Sequence, residues 1–295
     1  MKKWNLLVLT LVLSIVLAAC GGSGEEDSAS EESSSDNGNL GEEELTLSYV
    51  EWDSEIASTH VMQKVLQDEG YNVEITPLDN AVMWQSVATN EADASVSAWL
   101  PLTHGDLYDE YEDQIEDLGA NLEGAAIGLV VPKDFPAESI ADLSDQADQT
   151  ITGIEPGAGV VQASERALED YDNLSDWEVQ TSSSGAMATE LGQAVENDEE
   201  IVVTGWSPHW KFQKYDLKYL EDPEGTFGEA EDIVTIASQE LEDKSPHAYK
   251  VLDNFNWTTE DMESVMLDIE EGTSPEDAAA NWVEDNADKV SEWTE

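Results

Sequence analysis

Residues 45–101 alternate strand-like and helix-like stretches, and few folds accept that alternation. Leu45-Thr-Leu-Ser-Tyr-Val50, Tyr71-Asn-Val-Glu-Ile75 and Ala94-Ser-Val-Ser-Ala98 have strand character. Between the first two, Glu55 to about Asp68 places Ile56, Val61, Val65 and Leu66 roughly on one face. Asp53 or Ser54 is expected to cap this helix, and Gly70 to close it. A second helix is predicted around Val82 to Thr89. Strand–helix–strand–helix–strand is the pattern of an α/β lobe with a largely parallel sheet.

A second set follows. Ala125 to Val131 predicts a strand stopped by Pro132, and Ser139-Ile-Ala-Asp142 has a capping pattern. Strands are expected over Thr150–Ile154 and Trp177–Gln180, with helices over Val160–Tyr171 and Met187–Glu196. Ile201-Val-Val203 lacks polar alternation and predicts a strand buried on both faces, stopping at Thr204-Gly205 and presenting Trp206. Asp232 to Ala237 predicts a further strand. The tail from Ser245 is helical, with starts at Thr258-Thr-Glu-Asp261 and Ser274-Pro-Glu-Asp277. The chain therefore divides into lobe I, residues 45–128 plus 233–295, and lobe II, residues 129–232. Crossovers near Gly128 and Asp232 would form the hinge.

Trp52, Trp99 and Trp206 each fall at the end of a predicted strand, where open α/β sheets gather ligand contacts. For Trp206 alone, a core cap is as good a reading as a ligand wall. Three such tryptophans are poorly explained as independent core fillers. Trp84, Trp177, Trp210, Trp257, Trp282 and Trp293 lie within or beside predicted elements and are expected to pack. Glu155-Pro-Gly-Ala-Gly-Val160 is a glycine-bearing turn before a helix, whose first amides favour an anion. It lacks the third glycine of a dinucleotide fingerprint and the lysine of a phosphate loop, so a carboxylate suits it better. His104, five residues after Trp99, is either a solvated loop residue or a donor to that anion.

Charge excludes other roles. With 67 acidic against 11 basic residues, net −56, no basic face exists to release counterions from a nucleic acid. Such a body repels itself at low salt and is relieved at molar salt, where the Debye length is about 3 Å. This predicts adaptation to salt, with acid adaptation as the alternative. Cys20 is the lone cysteine, so neither a disulfide framework nor a cysteine metal site is expected. It follows Lys2-Lys3, an apolar stretch from Leu6 to Leu17, and Leu17-Ala-Ala19, which resembles a bacterial lipobox. That implies a signal peptide over 1–19 and a lipid on Cys20, anchoring the chain to the outer face of the membrane. Residues 20–44 form an acidic Ser/Gly-rich tether. The apolar stretch is short for a bilayer crossing of about 20 residues. No nucleophile–base pattern and no i, i+4 histidine pair appears among His60, His104, His209 and His247, so neither an enzyme nor a metal site is expected.

Three tryptophans, free helix-start amides and a histidine suit a zwitterion with a methylated cationic head. Aromatic faces attract a quaternary ammonium, contributing roughly 0.5–2 kcal/mol each. Tyr49-Val-Glu-Trp-Asp-Ser-Glu-Ile-Ala-Ser58, Ser97-Ala-Trp-Leu-Pro101 through His104, Gly153-Ile-Glu-Pro-Gly-Ala-Gly-Val160 and Val203-Thr-Gly-Trp-Ser-Pro-His-Trp210 carry a specific likeness, which extends to Trp293. On these segments the chain resembles the glycine betaine-binding lipoproteins of ABC importers. The resemblance implies a bilobal periplasmic-binding-protein-like fold of type II and capture of glycine betaine, or proline betaine, without a cofactor. It also implies a monomer that serves an ABC permease and ATPase. By motif, Trp52, Trp99 and Trp206 would enclose the ammonium. The amides of Gly159 and Val160 and the side chain of His104 would hold the carboxylate. Some relatives carry the two lobe segments in the opposite order, so their domain order does not transfer. Choline, carnitine, ectoine, an amino acid or a metal remain alternative ligands, and a surface enzyme with a cryptic site an alternative class.

Overall fold

The computed structural model describes residues 40–295; the predicted signal peptide, Cys20 and most of the acidic tether lie outside the described residues. The strands are β1 (Glu44–Tyr49), β2 (Asn72–Pro77), β3 (Ala94–Leu100), β4 (Ile115–Pro132), β5 (Thr150–Gly153), β6 (Glu178–Thr181), β7 (Val202–Ser207), β8 (Leu217–Tyr219) and β9 (Glu231–Ser238). The helices are α1 (Asp53–Asp68), α2 (Asn80–Ala88), α3 (Gly105–Tyr111), α4 (Gly159–Asp170), α5 (Ser184–Glu196) and α6 (Lys211–Lys214). They continue with α7 (Leu241–Lys244), α8 (Pro246–Asn254), α9 (Thr259–Glu270), α10 (Pro275–Asp285) and α11 (Ala287–Thr294).

Two sheets share β4. The first runs β2-β1-β3-β9-β4, parallel from β2 to β3 and antiparallel from β3 through β9 to β4. The second runs β4-β7-β5-β6, with β7, β5 and β6 mutually parallel and β8 on the free edge of β4. Along β4 the partner changes from β9 to β7 between Ala125 and Ala126. The chain returns to the first sheet where β9 begins at Glu231. Antiparallel pairs at the junction replace the largely parallel sheet expected from the strand–helix alternation.

Three elements depart from expectation. The first half of β4, Ile115 to Gly124, reads I-E-D-L-G-A-N-L-E-G and gives no strand signal. It is held by its ladder with β9, and register shifts let Gly119 and Gly124 take positive φ. Neither Asp53 nor Ser54 caps α1: the N-cap is Trp52, in extended geometry without a side-chain bond, and Asp53 opens the helix. Nor does β7 stop at Thr204-Gly205; it runs through Trp206 to Ser207, paired with Ala126–Val130 of β4. The glycine there is a packing requirement, because a Cβ on Gly205 would stand 2.4 Å from Val130 Cγ2.

The C-terminal helices start where their caps predict. Thr258 makes a reciprocal box with Asp261, and Ser274 accepts from the Asp277 amide. They bury an aromatic cluster: Trp282 lies edge-on to Trp257 at 5.7 Å and stacks on Trp293 at 5.9 Å, and Phe255 meets Trp293 at 4.9 Å. Trp84 and Trp177 are also buried in the core.

Candidate functional site

Trp52, Trp99, Trp206, His104, Gly159 and Val160 border a single cavity between the two sheets. Trp99 and Trp206 are the penultimate residues of β3 and β7, and Trp52 follows β1 by three residues. Each sits near the point where its strand hands over to a loop or helix. Both Trp99 and Trp206 are followed by a cis X–Pro bond, at Leu100–Pro101 and Ser207–Pro208.

His104 is buried, so its reading as a solvated loop residue fails. Its ring stacks on Trp52 at 6.2 Å and meets Trp84 edge-on at 5.8 Å. The Trp99 amide donates to its Nδ1 at 3.1 Å, and its own amide donates to the Trp99 carbonyl at 2.9 Å. An accepting Nδ1 assigns the proton to Nε2. That Nε2–H has no hydrogen-bond acceptor among the described residues. Burial holds the imidazole down to about 3, so at neutral pH the group is an uncharged donor. The start of α4, which lines the same cavity, has no side-chain cap, and the earliest amides of a helix have no partner within it. Gly159 abuts the other sheet's loop, where a Cβ would stand 2.4 Å from Thr103 Cγ2 and 2.5 Å from its carbonyl oxygen.

Ser54, Thr103, Ile127, Ile154 and Ala158 complete the lining. None carries a sequence pattern that would have marked it, and none is charged. Acidic side chains stand just outside, joining the two sheets. The Trp52 indole donates to Glu155 Oε2 at 3.1 Å, while Glu155 Oε1 accepts from the Ser184 amide at 3.1 Å. Asp53 accepts from the Trp210 indole and from the Ser184 hydroxyl, both at 2.8 Å, and lies 3.5 Å from His209 Nε2. Burial alone would raise the Asp53 pKa. The hydrogen bond and charge of His209, with the bonds from Trp210 and Ser184, hold it well below the carboxylate range instead. Trp210 and His209, expected to pack and position, are thus also partners of Asp53 across the two sheets.

The site therefore offers three indole faces, one neutral N–H donor and helix-start amides, with no charge of its own. Such groups are chemically suited to a small molecule with an apolar cation at one end and an anion at the other.

The protein family described as the substrate-binding domain of ABC-type glycine betaine transport systems matches residues 43–285. The chain is 48% identical over 161 residues to the glycine betaine/carnitine transport binding protein of Listeria monocytogenes serotype 1/2a, strain 10403S. That alignment spans 54% of each protein, about half the length of the relative. Among solved structures, lactococcal OpuAC, closed and complexed with glycine betaine, aligns with a TM-score of 0.84 and 53% identity, over 86% of this chain and all of that one. The glycine betaine/L-proline-binding protein of Borrelia burgdorferi aligns with a TM-score of 0.82 and 33% identity, over 85% of this chain and 97% of that one.

Proposed function

The chain belongs to the family of substrate-binding domains of ABC-type glycine betaine transport systems, and from that premise we propose that it captures glycine betaine outside the cytoplasm and delivers it to an ABC permease. The observation that carries this is the meeting of Trp52, Trp99 and Trp206 with the unpaired His104 Nε2–H and the uncapped start of α4 around one uncharged cavity. In this reading the indole faces hold the trimethylammonium. The Gly159 and Val160 amides and His104 take the carboxylate. Neutral walls disfavour small hydrated cations, because indole faces cannot replace their water. Proline betaine presents the same two ends and is a second ligand of the site.

We assign the lobes to residues 45–128 with 233–295 and to residues 129–232; in support, β4 changes partner from β9 to β7 between Ala125 and Ala126. Ligand touching both lobes favours their joined state over a separated one, and no covalent step is involved. The lipobox-like segment ending at Cys20 anchors the mature chain to the membrane. Among the described residues no helix is long and apolar enough to cross a membrane.

Calorimetric titration at molar salt against glycine betaine, proline betaine, choline and Zn²⁺ tests the reading. Betaine binding that exceeds choline binding is expected. Zinc binding tighter than betaine binding, or no betaine binding, refutes it.

A further inference from the structure

Lys211 opens α6 and is wholly buried, and its Nζ finds no hydrogen-bond acceptor among the described residues. The nitrogen lies over Trp206, 4.3 Å from the ring centroid, and 5.6 Å from that of Phe212. Lys211 does not border the cavity that Trp206 walls.

The groups around this amine are of three kinds. Asp53 of α1 attracts its positive charge; His209, on the preceding loop, is held uncharged near neutral pH; Trp206 of β7 and Phe212 of its own helix are aromatic. Burial outweighs Asp53 and lowers the Lys211 pKa to about 7. Trp52 stands in the opposite condition. Its indole N–H donates to the Glu155 carboxylate, which enriches its π face, whereas the Trp206 N–H has no partner among the described residues.

We propose that Lys211 sets the strength of the cage: protonated, it draws on the Trp206 π face and repels a quaternary ammonium across the ring, and as a neutral amine it leaves that face to the ligand. The inference rests on the betaine reading. Ligand and the Lys211 proton then exclude one another, so glycine betaine binding near neutral pH releases a proton, and affinity falls as pH falls through that range. His104 and His209 titrate well below that range, whereas Glu55 of α1, raised by burial to about 8, titrates within it; its contribution would persist when Lys211 is replaced.

The test is calorimetry of glycine betaine binding to the full chain and to Lys211→Met, between about pH 6 and pH 9. Buffers of differing ionisation enthalpy count the protons released. Wild type is expected to bind roughly tenfold more weakly at the acid end, the factor of one pKa unit, and to release a fraction of a proton near pH 7. Lys211→Met is expected to bind equally at both ends, as tightly as alkaline wild type, with no proton release. Lys211→Leu, of different shape, is expected to behave like the Met variant if charge is the cause. Wild-type affinity that does not change with pH, or a dependence that persists in both variants, overturns the inference. Wild type that fails to bind glycine betaine at every pH refutes the betaine reading instead.

Discussion

Truncating Trp206 removes one aromatic wall while its backbone stays paired to Ile127 in the β7–β4 ladder. Trp206→Ala is therefore expected to cost glycine betaine about tenfold to a hundredfold in affinity, on the scale of a desolvated cation–π contact, with the fold retained. Calorimetry beside far-ultraviolet dichroism checks both halves. His104 acts differently, because it donates one neutral hydrogen bond to the anionic end. His104→Ala should weaken glycine betaine by more than it weakens choline, which has no carboxylate. Equal losses for the two ligands would show that His104 serves only to wedge Trp52 in place. Trp206 borders the cavity, whereas Trp257, also buried, does not.

At the scale of elements, two helix starts hold the site together. α1 begins on Trp52 and Asp53, one walling the cavity and the other bonding Ser184 and Trp210 beyond it. Asp53→Asn turns one accepting oxygen into a donor that faces other donors. It is expected to weaken every ligand by a similar factor, and small-angle scattering should show a more open liganded protein. α4 begins on Gly159, which leaves no room for a side chain beside Thr103. Gly159→Ala should abolish binding while lowering Tm little, as the clash is with the opposite sheet and not within α4. The aromatic cluster on the C-terminal helices has a purely structural part. Trp257→Ala is expected to lose about 3–5 kcal/mol of stability, read by denaturant unfolding, with affinity unchanged in the folded fraction.

Over the whole molecule, net charge −56 sets a self-repulsion that salt relieves. Tm is expected to rise steeply between about 0.05 and 1 M NaCl, with the Debye length falling from above 10 Å to about 3 Å; a flat profile would refute the salt-adaptation reading. Buried titratable groups add a pH dependence of definite sign. Burial holds His104 to about 3 and His209 to about 4, the latter helped by Lys211. The unfolded chain takes up both protons below about pH 6.5 while the fold does not, so stability falls as pH drops from there. Glu55 works oppositely, because burial raises its carboxyl to about 8 against a bond from the Val50 amide. Its proton leaves the unfolded chain first, and stability is lost as pH rises from about 4.5 to about 8. Glu55→Gln should flatten that alkaline loss in a thermal melt.

The sequence by itself determined the α/β alternation and the C-terminal helix starts, because period and capping are properties of neighbours along the chain; it grouped Trp52, Trp99, Trp206, His104, Gly159 and Val160 through the family resemblance of four short segments. It could not show the first half of β4, whose acidic stretch is a strand only through pairing with β9, more than a hundred residues away. Asp53 had the local character of a helix cap, yet its bonds run to Ser184 and Trp210, and no local pattern encodes such partners. Nothing in the sequence singles out Lys211 among the 11 basic residues of this acidic chain. Only the approach of β4, β7 and α6 buries it against Trp206, since burial is set by what the fold brings together from distant parts of the chain.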